Sequence, residues 1–463
     1  MLADLWKTPE IITLVSVAGV LFYVPIVLFF FFRSRTAGIV VILFVSTFGN
    51  LLSDYGILPD QANWLIEITI VILLVKTIIV QVLNRSVRLY FVFELFMLFI
   101  IVVLSAILNK SNFAGAILML RPMVRYVLLF LIIVNTQFVE SEIQRLIRII
   151  YWLILLQLPV ASVKFMIYGQ GEMAVGTYAG IHGGTLSTVL PLVALPFLFC
   201  FHQVYKRTNW TVVMAAAFVG FSVIGGKRGF IFYLGPVLLY WLFMCMVRWR
   251  VRFQSRDIAL LFALAAGAFI AATTFVVTLN PDEIGRYVGK REAGYEGVLE
   301  YAYNYNMNEV GGVSHGRWAA TIKSLELAID GGSGSFFLGY GPGELVRSRF
   351  NQQSADHLSA QLGYGRTEFV YTMFQIGLLG TLAYFIMPIR VFFLANRLYN
   401  ISTDGYWKAF AMGLNVATFV VIMMGLTYCY ALLSNFLPLV YWCFAAFAIK
   451  MIDLHGIGAR HGA

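Results

Sequence analysis

The chain has 463 residues, of which 60% are apolar and only 12% charged, with a formal net charge of +10. Soluble domains carry about a quarter charged residues, and a soluble protein of this size would have no way to hide so much apolar surface, so that class is excluded. Apolar stretches of about 20 residues, the length a helix needs to cross a hydrocarbon core, recur along the whole chain. In chain order they run 11–32, 37–52, 63–83, 89–108, 113–134, 149–168, 184–204, 210–226, 230–247, 258–279, 368–388, 409–427 and 436–450. The fold class expected is an all-α integral membrane protein with about thirteen transmembrane helices.

The first stretch, from Ile11 to Phe32, is too long for the apolar region of a signal peptide. It is followed by Arg33 and Arg35 rather than a small-residue cleavage site, so it reads as a retained span. The connecting segments then alternate. One set carries Arg33 and Arg35, Arg85 and Arg88, Arg145 and Arg148, Lys206 and Arg207, Arg248 to Arg256, Arg390 to Lys408, and Lys450 with Arg460. The short segments of the other set are poor in Lys and Arg. The positive-inside rule puts the first set in the cytoplasm, with the N-terminus outside and the C-terminus inside. The basic excess is therefore an orientation signal and not a nucleic-acid footprint, and the short cytoplasmic loops leave no room for a nucleotide-binding domain.

Three regions follow: spans one to ten over 1–279, a large outer loop over 280–367, and spans eleven to thirteen with a cytoplasmic tail over 368–463. A loop of that length is usually functional. Within it, Arg317–Asp330 has helical spacing, with Trp318, Ile322, Leu325 and Ile329 on one face, and predicts an amphipathic helix on or near the membrane. The tract Tyr295–Tyr305, rich in Tyr and Asn, suits either a polar sugar site or an ordinary loop surface. No internal repeat is evident, which disfavours the repeated halves common in secondary transporters. Cys200, Cys245, Cys429 and Cys443 all fall in apolar stretches, so neither a disulfide framework nor a thiolate metal site is implied.

The chemistry-bearing residues are sparse. There is no H-E-x-x-H, no Cys/His ligand pattern and no D-x-D pair. Gly225-Gly226-Lys227-Arg228 is not a phosphate loop, having Arg where Ser or Thr is needed and following a membrane span. What remains is a set of arginines on the outer side or at membrane depth. Arg228 sits between glycines where span eight meets span nine. Arg121 and Arg125 lie one turn apart inside span five, Arg317 begins the amphipathic helix, and Arg366 precedes span eleven beside Glu368. Guanidinium groups grip phosphate oxygens in a planar, two-pronged way, so several converging on one outer cavity would suit a diphosphate-bearing lipid. Each also has a structural reading: pairing with Glu94 or snorkelling for Arg121 and Arg125, a headgroup anchor for Arg228, solvation of its helix for Arg317, and a local salt bridge for Arg366 with Glu368. Lys76 and Lys164 read as snorkelling or paired. His315 and His357 read first as polar loop residues, and Glu172 is an acid/base candidate in a short outer loop.

Four segments resemble the O-antigen polymerase and O-antigen ligase superfamily. They are Glu172–Gly184 (EMAVGTYAGIHGG), Gly225–Phe230 (GGKRGF), Gly316–Gly343 (GRW, an amphipathic helix, then LGYGPG) and Arg366–Gly380 (RTEFVYTMFQIGLLG). The resemblance covers the chain from Glu172 onward and lies in the order of these short motifs around one large loop. It implies a C-type glycosyltransferase architecture in a bacterial inner membrane, taking its glycan from a polyprenyl-diphosphate-linked oligosaccharide without cofactor, metal or nucleotide sugar. Membrane lipids and a polysaccharide chain-length regulator would be its partners. Arg228 and Arg317 would neutralise the leaving diphosphate, with Arg121, Arg125, Glu172 and Arg366 binding substrate, and a base would deprotonate the acceptor hydroxyl. Ligases of this superfamily place a His-Asn pair where this chain has Arg366 and Thr367. That departure leaves Glu368 or His357 as the base and turns the expectation towards a polymerase, with ligase and lipid-linked-oligosaccharide transporter as the competing readings.

Overall fold

A backbone inside hydrocarbon can satisfy its N–H and C=O groups only as a helix or a closed barrel, and here the long apolar stretches within the described residues are helices. The protein is seen in a computed structural model describing residues 25–26, 29, 34–54, 64–83, 88–169, 174–177, 181–206, 208–225, 229–249, 267, 309–310, 313–314, 316–345, 367–433 and 436–461. The helices before the loop are α1 (Arg35–Asp54), α2 (Trp64–Leu83), α3 (Val92–Leu108), α4 (Phe113–Asn135), α5 (Glu140–Tyr168), α6 (Ile181–Tyr205), α7 (Thr208–Ile224) and α8 (Gly229–Phe243), the last running into a π-helical turn, Met244–Arg248. Loop residues contribute a short antiparallel pairing of β1 (Glu309–Val310) with β2 (Val313–Ser314), then α9 (Arg317–Asp330) and α10 (Gly332–Leu338). After the loop come α11 (Glu368–Ile401), α12 (Gly405–Thr427) and α13 (Phe436–His461).

Among the described residues, seven helices are long and apolar enough to cross a membrane: α2, α4, α5, α6, α11, α12 and α13; α1, α3, α7 and α8 carry shorter apolar segments. Every expected span inside the described residues lies on one of these helices. Spans 11–32 and 258–279, like most of the loop 280–367 with its Tyr295–Tyr305 tract, fall largely outside the described residues.

Two of the boundaries that differ from the sequence reading show why. Span six was expected from 149, but α5 starts at Glu140, where the Glu142 carboxylate accepts the Val139 N–H at 3.0 Å and caps a charged first turn. Span eleven was expected to end at 388, but α11 continues through Pro388 to Ile401. Hydropathy marks only the hydrocarbon-length part of a helix, and both helices extend past it.

The core lies where α6, α12 and α13 meet. α13 is the most enclosed of the seven, with 89% of its most apolar stretch buried. Phe197, Phe410 and Phe444 join it with ring centroids 5.2 to 5.8 Å apart, and Tyr151 of α5 packs edge-on against Phe444. Gly413 lets α12 approach α6, because a Cβ there would collide with the Phe197 ring. Among the described residues, two carboxylates form ion pairs within the bundle. Glu67 pairs with both Arg121 (2.6 Å) and Arg125, and Glu94 pairs with Arg390. The carboxylate serving Arg121 and Arg125 is thus Glu67, one helix away, and not Glu94.

Side-chain contacts also sort the connecting segments between the two ends of the bundle. At one end Arg88 pairs with Asp453, Trp407 donates to Glu140 at 2.6 Å, and Tyr399 donates to the Trp249 carbonyl at 3.2 Å. At the other, Asn109 donates to the Gly339 carbonyl at 3.1 Å, and α9 and α10 pack on the start of α11. The described parts of the basic segments gather at the first end, and the loop helices at the second.

Candidate functional site

The loop end is organised by a break in α11. Gly377 has φ 65° and ψ −169°, a conformation essentially reserved for glycine. The break frees carbonyls that the loop then satisfies: Tyr340 N–H donates to Phe374 O at 2.8 Å and Gly341 N–H to Gln375 O at 3.2 Å. Ser105 of α3 donates to the same Gln375 carbonyl at 3.2 Å. The buried Gln375 side chain accepts the Gly343 N–H at 2.8 Å and donates to Tyr371 O at 3.1 Å. The Tyr340 ring stacks on Phe374 with centroids 4.9 Å apart.

The glycine spacing of LGYGPG now has a cause. A Cβ on Gly339 would strike the backbone of Gln375 and Ile376, one on Gly377 the backbone of Phe337 and Leu338, and one on Gly343 the backbone of Gly115. The third and fourth sequence motifs are therefore two halves of one interlock.

From that interlock α9 reaches across α11. Its small residues Ala320, Ser324 and Ala328 are buried, while Trp318, Ile322 and Ile329 are exposed. The predicted helix is present with the predicted bounds, and it packs through its small face, leaving the bulky apolar face outward. Arg317, its first residue, lies over the ring of Tyr428, with Cζ 4.0 Å from the centroid.

Tyr428 opens the turn between α12 and α13, and other motifs meet it there. A Cβ on Gly229, the residue after Arg228, would collide with the Tyr428 ring. The Tyr233 ring of the same helix packs edge-on at 5.3 Å, and its hydroxyl donates to Thr427 Oγ1 at 2.9 Å. The turn is fastened from the other side by Glu368, fully buried at the start of α11. Its Oε1 accepts the N–H groups of Leu432 and of Leu433, the latter at 2.9 Å, and Tyr430 packs edge-on against Tyr371.

The segment 174–177 belongs to the same end. Val175 and Ser187 pack on Gly225 so closely that a Cβ there would clash with the serine. Thr177 donates from its N–H and hydroxyl to Gln157 Oε1, at 2.8 and 3.1 Å. Lys164, read as snorkelling or paired, is buried and donates to Gly176 O at 3.1 Å.

Of the site residues expected from sequence, Arg317 and Glu368 come to the two sides of one turn. Arg121 and Arg125 are held together by Glu67, within the bundle. Arg228, Glu172, His357 and Arg366 lie outside the described residues, as does His315. Tyr428, Gln375, Gln157 and Glu67 were not singled out. Gln375 and Gln157 were detectable as uncharged polar residues within apolar stretches, a costly placement unless hydrogen-bonded. Tyr428 carried no such signal, since an aromatic at a span end is commonplace.

All four cysteines are buried and free. Among the described residues no three His, Cys, Asp or Glu side chains come together as metal ligands. No protein-family model matches the chain, and no curated protein matches it.

Proposed function

We propose that the chain is a polysaccharide polymerase of the bacterial inner membrane, with thirteen spans and a C-type glycosyltransferase architecture, acting on polyprenyl-diphosphate-linked glycans at the outer face. The N-terminus is then outside and the C-terminus cytoplasmic, so that the loop end of the bundle is the outer end. One observation carries the reading: the segments bearing Arg228 and Arg317 meet at Tyr428, Gly229 against the ring edge and Arg317 over its face. Two arginine-bearing segments on a single aromatic, at the end where the large loop packs, suit the capture of a lipid diphosphate.

In the proposed reaction an acceptor sugar hydroxyl attacks the anomeric carbon of the growing chain. The bond from that carbon to the diphosphate oxygen breaks, and the diphosphate leaves with the electron pair. Arg317 and Arg228 neutralise the charge that develops on it. The hydroxyl proton passes to a base. The product stays on the carrier of the incoming repeat unit.

The test is the profile of carrier-linked and surface glycans in a host lacking the gene, then complemented with wild type or Arg317→Ala. Single repeat units in place of a long ladder, restored by wild type and not by Arg317→Ala, are expected. Full-length polymer stranded on its carrier would make the protein a ligase. Repeat units held on the cytoplasmic face would make it a transporter, and a normal ladder with Arg317→Ala would remove Arg317 from the diphosphate site.

A further inference from the structure

We infer that Tyr428 and Glu368 are positioning residues for Arg317, linked through the turn between α12 and α13, and that Glu368 is not the proton acceptor of the reaction. The inference rests on the proposed reaction for its kinetic consequences but on geometry for the arrangement itself.

An arginine side chain is long and rotamer-rich, and a role in diphosphate binding requires it to be held in one direction. Here the hold is the Tyr428 ring face, 4.0 Å below the guanidinium carbon. The ring is itself confined. Gly229 leaves no space even for a methyl group, Tyr233 closes an edge at 5.3 Å, and the Tyr428 N–H is fixed to Met424 O at 2.8 Å.

Beyond Tyr428 the chain leaves the helix, and its N–H groups need acceptors. Leu432 and Leu433 find theirs in Glu368 Oε1. The other carboxylate oxygen, Oε2, is pressed against Gly425, where a Cβ would lie 2.5 Å from it, and has no hydrogen-bond partner among the described residues. A fully buried carboxylate whose first oxygen serves two backbone amides, and whose second is enclosed by a helix backbone, is built to anchor a turn. It has no described approach for a sugar hydroxyl. The expectation that Glu368 is a base is thereby replaced: it acts on the site through Leu432, Leu433 and the turn that carries Tyr428.

The chemistry of the two residues predicts which substitutions are tolerated. Glutamine retains an oxygen that accepts both amide protons, and alanine does not. Phenylalanine retains the ring face, and leucine does not. The full-length protein in lipid nanodiscs is treated with phenylglyoxal, which modifies accessible arginines, and the rate at Arg317 is read by peptide mass spectrometry. Wild type, Glu368→Gln and Tyr428→Phe should react at Arg317 at the same rate. Glu368→Ala and Tyr428→Leu should react severalfold faster. In a polymerisation assay with lipid-linked repeat units, the last two should raise KM by about fivefold, the scale set by loss of a cation–π contact of about 1 kcal/mol. Glu368→Gln should keep the wild-type pH profile.

Equal Arg317 reactivity in all five proteins would overturn the inference. So would a Glu368→Gln variant as inactive as Glu368→Ala with an altered pH profile, which would restore Glu368 as a proton acceptor. If Glu368→Ala fails to fold, the Tyr428 pair and Glu368→Gln still decide the matter. Variant-dependent Arg317 reactivity in a protein that makes no polymer would refute the proposed reaction while upholding the positioning.

Discussion

Replacing Gly377 with alanine tests the interlock directly. The residue sits at φ 65°, ψ −169° inside α11, and holding an L-residue in such a region costs about 1–3 kcal/mol. The added methyl would also meet the backbone of Phe337 and Leu338, which cannot rotate away as a side-chain tip would, and overpacking of that kind costs a further 1–3 kcal/mol or so. The sum, about 2–6 kcal/mol, is a large part of a marginal stability of about 5–15 kcal/mol. Gly220 is the control: it lies within α7, and a Cβ there meets nothing within 4 Å, so Gly220→Ala should gain about 0.5–1 kcal/mol. Thermal unfolding in detergent compares the two. Amide exchange at Tyr340 and Gly341, whose N–H groups bond Phe374 O and Gln375 O, reports the interlock locally. Gly377→Ala should lower the unfolding temperature and expose both amides. Wild-type stability with both amides still protected would refute the reasoning.

Two further outcomes are expected. Glu67→Gln removes the carboxylate shared by Arg121 and Arg125, which are 22% and 8% exposed; breaking a buried pair costs about 3–5 kcal/mol, less in the part owed to the more open Arg121. A lower unfolding temperature is expected, and an unchanged one would mean that other groups carry these arginines. Tyr340, in the loop outside the spans, has its phenol pKa raised by burial, with the Asp330 charge adding to it and a Ser335 hydrogen bond opposing it, and it donates to Leu327 O at 2.5 Å. A raised folded-state pKa means that this contribution is fully present below the ordinary tyrosine range and is lost as pH climbs through the folded-state value. Alkaline titration should therefore loosen the loop in wild type, and Tyr340→Phe should abolish that step; amide exchange in α10 reads both.

How far the sequence carried follows from what each signal measures. Hydropathy reports hydrocarbon, and so it placed the helices but not their ends: α5 and α11 run on through Arg145 and Arg390, where charge had marked a boundary. Basic residues report sidedness, and segments assigned to one side by Arg88 and Arg397 do gather at one end of the bundle. The loop helix was legible to the residue because Gly316 and Gly331 flank an unbroken helical pattern. The interlock was not. Gly377 looks like any small residue in an apolar run until Gly339 is placed against it, and that pairing spans the rest of the loop. Tyr428 stayed hidden because its role comes from Gly229 and Arg317, distant in sequence, and not from its neighbours.

The three faces of α9 connect the fold to the proposed chemistry. Ala320, Ser324 and Ala328 are small enough to bring the helix close to the bundle, while Lys323 and Glu326 form an ion pair on a different side. Trp318, Ile322 and Ile329 remain exposed, an apolar set flanked by charge that suits the boundary between acyl chains and headgroups. A helix seated in that way holds its first residue at headgroup depth. Arg317 is that first residue, and in the proposed reaction it would meet the diphosphate of a lipid carrier at the same depth. The loop helix would thus fix the height of the guanidinium relative to the membrane, while Tyr428 fixes its direction. A polar substitution such as Ile322→Ser should then weaken turnover of lipid-linked substrate yet leave thermal stability in detergent intact, because the face it alters is exposed among the described residues. Equal loss of both would mean that the apolar face serves the fold, and the headgroup-depth argument would fall.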